Sequence, residues 1–319
     1  MLNRPSTIHR ICRTAFSSSL FLCCRSTVTV TASDPRNSNL PSSLKSSPIK
    51  SLCPPGQCQF GDDFIKVSLL ENIPVSETSF IARFELPDKN KPLGLSTCAC
   101  ILAGAEVDKE MVVRPYTPIS TNADIGTFDL LIKRYPGGKM SNFLGNLKPS
   151  DKPVVGFKHI PFNVKIQYPF SGEKKTNPKF IAMICGGTGI APMIQALHAI
   201  LGDTESKIEK IHLLYGSRTF DDILGRQMID NWCVTHPKFN VTHVLSHEEK
   251  DVAPHCKRGF IDCTLIESTV PPASEGDNVL IFICGPPAMY DVLCGPRKDK
   301  NVTGVLGNMG YSQDQVYKF

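Results

Sequence analysis

The first 33 residues of this 319-residue chain contain no aspartate or glutamate. They contain four arginines, one histidine and many serines and threonines, a composition typical of organelle transit peptides. Three serines interrupt the apolar patch at residues 15–24, and the patch is too short to span a bilayer. We predict that residues 1–33 form a mitochondrial presequence, with a plastid transit peptide and a secretory signal as the alternatives.

A basic face for nucleic acid is also lacking. The chain has 35 Lys+Arg against 30 Asp+Glu, but seven of the basic residues and one acid, Asp34, lie in residues 1–50. The rest of the chain is therefore close to neutral and lacks the excess of basic residues that is typical of nucleic-acid-binding proteins. Residues 34–59, rich in serine, proline and asparagine, are predicted to be a linker.

No ligand set for a metal is apparent, so we predict no metal site. The 13 cysteines are odd in number and irregularly spaced. Cys53 and Cys58 bracket Pro-Pro-Gly-Gln, but no histidine or second cysteine pair completes a zinc set. We interpret most of the cysteines as small buried hydrophobes in a reducing compartment.

Residues 60–172 form a region of short apolar runs that are separated by Gly, Pro, Asn and Asp clusters. Six short strands in about 100 residues indicate a small closed antiparallel β-barrel. One short helix is predicted at residues 141–147. The predicted strands are residues 64–70, 79–86, 97–103, 110–115, 127–134 and 152–158.

Residues 178–319 alternate between apolar strands and helices, which predicts an α/β doubly wound parallel sheet. Glycine-rich turns at residues 186–189 and 285–287 both follow predicted strands, so both should lie at the carboxyl edge of the sheet, where ligands bind. The predicted strands are residues 180–185, 210–215, 239–245 and 279–284, and the predicted helices are residues 193–201, 221–233 and 288–293.

Residues 114–120, Arg-Pro-Tyr-Thr-Pro-Ile-Ser, combine a permanent cation, a flat aromatic ring and small hydroxyls on an extended backbone. This combination suits a cofactor with a pyrophosphate and a planar ring, although an ordinary edge strand has the same features. Downstream, Gly137-Gly138-Lys139 leads into the predicted helix with Ser141 as its cap, which indicates either an anion site or an ordinary capped helix.

In the second half, the turn reads Gly187-x-Gly189-x-x-Pro192, which departs from the full dinucleotide fingerprint. The second strand is followed by Arg218 and then by two acids, Asp221 and Asp222. An arginine could accept a 2′-phosphate whereas a carboxylate would repel one, so this loop favours NADH over NADPH. Since no base adjoins Cys284, we expect it to shape the nicotinamide site rather than to act as a nucleophile.

Taken in order, residues 114–120, 137–141, 186–192 and 284–287 resemble the motifs of the ferredoxin–NADP reductase superfamily, and within it the NADH–cytochrome b5 reductase family. The resemblance covers about residue 60 to Phe319 and implies an FAD-binding barrel followed by an NADH-binding α/β domain. It assigns the catalytic roles to Thr117 and Cys284. The residues that it implies in FAD or NADH binding are Arg114, Pro115, Tyr116, Thr117, Ser120, Lys133, Gly138, Lys139, Met140, Ser141, Gly187, Thr188, Gly189, Pro192, Asp222, Gly285, Pro286 and Phe319.

The resemblance further implies a haem-protein acceptor of the cytochrome b5 type, which Lys139 and Lys133 would help to dock, and we expect a peripheral association with a membrane. Two rival interpretations are an NADPH-dependent flavin or ferredoxin-type reductase, which Arg218 supports, and a non-catalytic electron-transfer module. The chain departs from the family at residues 95–101 and 156–170, where a Pro-Val-Gly-Gln-His-like run and a Gly-Pro-x-Gly turn are expected.

Overall fold

The computed structural model describes residues 47–159, 168, 178–249 and 256–319. The predicted transit peptide, the first part of the predicted linker and most of the departing segment after residue 159 lie outside these residues. So does residue 172, the predicted end of the first domain. Among the described residues, no helix has the length and the apolar character needed to cross a membrane, and no cluster of potential ligands could hold a metal ion.

The first half consists of antiparallel strands in two sheets, ordered β1-β7-β4-β5 and β2-β3-β6. Both sheets contribute to one core, in which Phe60, Phe84, Phe128 and Phe157 pack with ring centroids 4.9–5.7 Å apart. The strands are β1 (Ile65–Val67), β2 (Leu69–Ser76), β3 (Ser79–Glu85), β4 (Ile101–Val107), β5 (Glu110–Tyr116), β6 (Thr127–Lys133) and β7 (Val155–His159).

The sheet β2-β3-β6 is apolar on both faces. Phe128 and Leu130 of β6 lie in the barrel core, whereas Leu131 and, on β3, Ile81 belong to a cluster shared with the second half. Because side chains alternate along a strand, one sheet can pack against both halves of the molecule. The barrel and the α/β half are therefore joined through this sheet.

Several predicted elements of the first half have the wrong bounds. The strand predicted at residues 64–70 is divided into β1 and the start of β2, and the strand predicted at residues 152–158 begins only at Val155. The strand predicted at residues 97–103 starts only at Ile101, because Cys98 has φ +62°, a left-handed conformation that no strand accommodates. The helix α1 spans Lys139–Asn146, two residues earlier than predicted, and its cap is Gly138. Ser141 therefore lies within the first turn of α1 and is not the capping residue.

The second half is a six-stranded parallel sheet in the order β11-β10-β9-β8-β12-β13. Apolar side chains on both faces of β8 explain the layering: Ile181 and Met183 face one core, and Ala182 and Ile184 face the other. The elements are β8 (Phe180–Gly186), α2 (Ile190–Leu201), β9 (Lys210–Ser217), α3 (Arg226–Thr235), β10 (Phe239–Leu245), β11 (Cys256–Arg258), α4 (Cys263–Thr269), β12 (Val279–Cys284), α5 (Pro287–Leu293), α6 (Gly304–Asn308) and β13 (Val316–Lys318).

The structure adds both edge strands, β11 and β13, to the four strands expected in this sheet, as well as α4 and α6. The helix predicted at residues 221–233 begins only at Arg226. Its preceding residue, Gly225, has φ +70°, which separates α3 from a short 3-10 turn at Phe220–Asp222. As a result, Asp222 lies at the end of this 3-10 turn, at the carboxyl edge of the sheet.

Candidate functional site

Two glycine-containing loops meet at the carboxyl edge of the sheet, as predicted. One is the 3-10 turn Gly187–Gly189 after β8, and the other is the loop of Cys284, Gly285 and Pro286 between β12 and α5. They are neighbours because β8 and β12 pair in parallel, with Cys185 opposite Cys284. A Cβ at Gly189 would collide with the Cys284 carbonyl, so this close approach requires glycine.

The turn after β8 leaves space for a ligand. Gly187 has φ +56°, and nothing lies within 4 Å of the position that a Cβ would take. The Tyr215 hydroxyl, from β9, donates to the Gly187 carbonyl at 3.1 Å. Complete burial raises the pKa of Tyr215 well above its ordinary value, so this phenol remains a neutral donor that holds the turn in place.

The motif at residues 114–120 leaves the barrel at the end of β5. Arg114 and Pro115 are exposed, whereas Tyr116 and Thr117 are half-buried. Within the part of the chain that the structure describes, Arg114 makes no ion pair, and its guanidinium donates to the backbone carbonyl of Val113 at 2.8 Å. Burial raises the pKa of Tyr116 to about 12, against an opposing effect of Arg114. The motif thus presents an exposed cation beside a neutral aromatic ring.

Ser120, at the end of this motif, is bound within the barrel. Its hydroxyl is buried and accepts a hydrogen bond from the Asp129 backbone N–H at 2.9 Å. The Asp129 carboxylate in turn binds Arg83 through two hydrogen bonds of 2.8 and 2.9 Å. These contacts anchor the motif to β6 and its neighbour β3. A direct contact between Ser120 and a cofactor stays a prediction.

The amino terminus of α1 is built by Gly138, Lys139, Met140 and Ser141. No side chain caps its free backbone N–H groups, which therefore suit an anion. The Met140 side chain lies in the barrel core, so only its backbone can face a phosphate. The Ser141 hydroxyl accepts from the Tyr135 N–H and donates to the Gly138 carbonyl, each at 3.3 Å, while Lys139 forms an ion pair with Glu110.

Among the described residues, polar contacts join the two halves around these loops at three places. Gln195 of α2 donates to the Pro118 carbonyl at 2.8 Å and also to the Ser120 carbonyl. The Cys98 thiol donates to the Pro192 carbonyl at 3.2 Å, which places Pro192 at the contact between the halves. Sequence reasoning missed Gln195 and Cys98, since neither residue type carries a signal for a contact with a distant segment.

The third contact is an ion pair between Lys133 of β6 and Asp222, with 3.8 Å between Nζ and Oδ1. Their side chains are only 18% and 22% exposed, so solvent screens the pair incompletely. Arg218 and Asp221 are exposed by comparison. The structure therefore brings together the lysine and the acid that were predicted for nucleotide binding and leaves Arg218 at the surface.

Cys284 ends β12, and Phe319 directly follows the adjacent strand β13 at the same edge. The Phe319 N–H donates to the Ile283 carbonyl at 3.0 Å, and the Tyr290 hydroxyl donates to the Phe319 carbonyl at 2.6 Å. Burial raises the pKa of Cys284 to about 11, so its thiol is neutral at pH 7. This agrees with a shaping role for Cys284 and not with a role as a nucleophile.

The residues present fit both implied cofactors. The exposed guanidinium of Arg114 and the open amino terminus of α1 supply donors for the phosphates of FAD, and Tyr116 supplies an aromatic surface. The open space at Gly187 allows a dinucleotide to approach the backbone. The individual roles of Thr117, Thr188, Gly285 and Pro286 stay predictions.

Comparison with known proteins agrees with this geometry. Residues 66–157 match the oxidoreductase FAD-binding domain family, and residues 183–295 match the oxidoreductase NAD-binding domain family. NADH-cytochrome b5 reductase 2 of Botryotinia fuckeliana is 36% identical over 264 residues, which cover 80% of this chain and 71% of that protein. The chain belongs to the NADH–cytochrome b5 reductase family. The protein of the same name from Scheffersomyces stipitis is 34% identical, with 81% of this chain and 84% of that protein covered.

Solved structures support the same family. The cytochrome b5 reductase domain of Ulva prolifera nitrate reductase superposes with a TM-score of 0.68 at 27% identity, and the match covers 84% of this chain and all of that domain. The CS-b5R domains of human Ncb5or share the fold, with a TM-score of 0.63 at 19% identity, over 80% of this chain and 69% of that one.

Membership of the NADH–cytochrome b5 reductase family makes this chain an oxidoreductase with FAD and NADH as cofactors. The prediction of an FAD-binding barrel followed by an NADH-binding α/β domain is confirmed. NADH is thereby favoured over NADPH, and the rival interpretation as a non-catalytic module falls away.

Proposed function

We propose that this protein oxidises NADH through FAD and passes single electrons to a haem protein such as cytochrome b5. One observation carries this proposal: Gln195 joins the helix behind the Gly187–Gly189 turn to the Pro118 carbonyl at 2.8 Å, next to Tyr116 and Thr117. This contact supports the proposal because it holds the helix that follows the nucleotide-side turn against the segment that carries the aromatic motif. We infer the acceptor, cytochrome b5, from the names of the relatives.

When bound, NADH and FAD supply hydride transfer and the division of an electron pair into single electrons. The chain binds and orients them. Arg114 and the amino terminus of α1 would hold the FAD phosphates, and Tyr116 would cover the ring. Thr117 would offer a hydroxyl to a ring nitrogen. Catalysis by positioning of this kind needs no protein nucleophile, in agreement with the neutral thiol of Cys284.

On the nucleotide side, the turn Gly187–Gly189 would meet the diphosphate, and Thr188, Gly285 and Pro286 would surround the nicotinamide. Asp222 would accept hydrogen bonds from the ribose hydroxyls, with Lys133 beside it. Phe319 would close the site at the end of the sheet, since it is hydrogen-bonded to Ile283 beside Cys284. These roles remain part of the proposal.

An absorbance spectrum followed by a nucleotide titration tests the function. We expect a yellow protein whose flavin absorbance is bleached by NADH more efficiently than by NADPH, and whose electrons then reduce added cytochrome b5. A colourless protein that releases no FAD on denaturation would contradict the proposal at the cofactor step. A flavoprotein that NADH reduces but that fails to reduce cytochrome b5 would contradict the acceptor alone.

We further propose a mitochondrial location, with a plastid and a secretory route as alternatives, on the composition of residues 1–33. Deletion of these residues from a fluorescent fusion should abolish import and leave flavin binding intact; retained import would refute the targeting role. A peripheral association with a membrane and the domain bounds 60–172 and 178–319 are likewise proposals. Flotation of the intact protein with phospholipid vesicles tests the association with a membrane, and limited proteolysis tests the bounds.

A further inference from the structure

Gln195 makes a pair of contacts between the two halves of the molecule. It lies on α2, and its side-chain amide donates to two backbone carbonyls of the barrel motif, those of Pro118 and Ser120. A carboxamide NH₂ has two donor hydrogens, so one amide group can satisfy both carbonyls at once. The residue between these carbonyls, Ile119, is fully buried in the core that the two halves share.

The barrel side of this contact is fixed independently. The Ile119 N–H donates to the Asp129 carbonyl, and the Asp129 N–H donates to the Ser120 hydroxyl, each at 2.9 Å. Asp129 is buried and held by Arg83 at 2.8 Å. The segment that follows Tyr116 and Thr117 is therefore bonded to β6 on one side and to Gln195 on the other.

The nucleotide side is fixed as well. The helix α2 continues directly from the Gly187–Gly189 turn at Ile190, and its buried residues pack against β8. A displacement of the Gln195 end of α2 would therefore displace this turn. The other polar contacts between the halves around these loops are weaker, since a thiol is a poor donor in the Cys98–Pro192 pair and the Lys133–Asp222 pair is 3.8 Å long.

We propose that Gln195 is a positioning residue that sets the spacing between the nicotinamide-side turn and the flavin-side segment, and so controls hydride transfer without contacting either cofactor. The inference rests on the proposed function and deepens it. Hydride transfer depends steeply on the separation of the reacting atoms, and a misplacement of about 1 Å can cost on the order of 100-fold in rate. Electron transfer out of the flavin tolerates such a change far better.

The test is Gln195→Glu, which keeps the shape of the side chain but places a carboxylate against two carbonyl oxygens. We expect the reduction of bound FAD by NADH, measured by rapid mixing, to slow by about 10- to 100-fold. The dissociation constant for NAD⁺ and the rate at which the reduced protein passes electrons to ferricyanide should stay within about twofold of the wild type. The primary isotope effect with C4-deuterated NADH should rise as hydride transfer becomes rate-limiting.

A pH profile separates positioning from general damage to the fold. The introduced carboxyl group would recover one donor on protonation, so the defect of Gln195→Glu should shrink as the pH falls from 8 to 5.5. Gln195→Met has the same length and no donor, and its defect should not depend on pH. Gln227→Glu is the matched control, since Gln227 is exposed on α3, and it should behave as the wild type.

Hydrogen exchange provides a readout without any cofactor. In flavin-free protein, Gln195→Glu should accelerate exchange at the Ile119 amide, whereas Gln227→Glu should not. Wild-type rates of flavin reduction in both Gln195 variants would overturn the inference, and so would a loss of bound FAD in both variants. If the wild-type protein itself shows no reduction by NADH, the proposed function fails, whereas a reducible wild type with unaffected Gln195 variants overturns the positioning role alone.

Discussion

The nucleotide preference of this protein should depend on Asp222. Its Oδ1 lies 3.8 Å from Lys133 Nζ, and 22% of the side chain is exposed. Replacement by threonine removes a negative charge from the place where the 2′-phosphate of NADPH would lie. It also frees Lys133 to pair with that phosphate. Asp222→Thr should therefore improve the use of NADPH and weaken the use of NADH.

The expected magnitude follows from Coulomb's law. Two unit charges 4 Å apart repel by about 1 kcal/mol in water and about 4 kcal/mol at an effective dielectric constant of 20. Because Asp222 is partly exposed, we take the lower part of this range, about 1–2 kcal/mol. The loss of a hydrogen bond to the ribose costs NADH about 1 kcal/mol more. Together the two effects amount to about 2–3 kcal/mol. Since 1.4 kcal/mol corresponds to tenfold, the ratio of kcat/KM for NADPH to that for NADH should rise by about 30- to 140-fold.

Steady-state rates with ferricyanide as the acceptor measure this ratio directly. Asp221→Thr is the matched control, since Asp221 is the adjacent acid and is exposed; it should change the ratio by less than about threefold, because solvent screens an exposed charge. An unchanged ratio in Asp222→Thr would remove Asp222 from the nucleotide site. An equal shift in Asp221→Thr would show that net charge, and not the position beside Lys133, determines the preference.

Three further changes probe other parts of the molecule. Arg114→Ala should weaken FAD binding by about 10- to 150-fold, since a hydrogen bond to a charged group is worth about 1.5–3 kcal/mol; fluorescence titration of flavin-free protein measures it. Asp129→Ala leaves Arg83 without its partner and should lower Tm by about 5–10 °C in a thermal scan. Burial lowers the pKa of His212 to about 4, so His212→Gln should reduce the loss of stability between pH 6.5 and 4.

The sign of the His212 effect follows from proton linkage. Above its ordinary pKa of about 6.5 the ring is neutral in both states, and as the pH falls toward 4 only the unfolded chain takes up the proton. The free energy of unfolding can be measured with urea at pH 7 and at pH 4.5. Its decrease between these two pH values should be larger in the wild type than in His212→Gln, by on the order of 2 kcal/mol. His247→Gln, at an exposed histidine, is the control, and equal pH dependence in all three proteins would exclude His212 as the cause.

The controls for the other two changes use distant or exposed positions. Lys152→Ala removes an exposed cation of the barrel and should leave FAD affinity unchanged. If Lys152→Ala and Arg114→Ala lost FAD affinity equally, the effect of Arg114 would come from net charge and not from its position. For Asp129→Ala, the exposed Asp63→Ala should leave Tm within about 1 °C. An unchanged Tm in Asp129→Ala would show that the Arg83 pair adds nothing to stability.

Local pattern was sufficient for much of the architecture. The strand at residues 79–86 and the helix after the Gly187–Gly189 turn occur close to their predicted bounds, because alternation and turn residues act within a few positions. The errors at Cys98 and Gly225 arise where a single left-handed residue ends an otherwise regular pattern. The edge strands β11 and β13 were missed because three residues carry too little periodicity to detect.

The sequence by itself determined the order of the site: an Arg-Pro-Tyr-Thr motif after a strand, then two glycine turns at one sheet edge. These features are local, so residue type and spacing are enough to predict them. Only the tertiary structure decided which residues of the two halves contact each other. Gln195 and Pro118 are 77 residues apart along the chain, and Lys133 meets Asp222 only because both faces of the sheet β2-β3-β6 are buried. Such pairings depend on how two cores pack together, which no short stretch of sequence encodes.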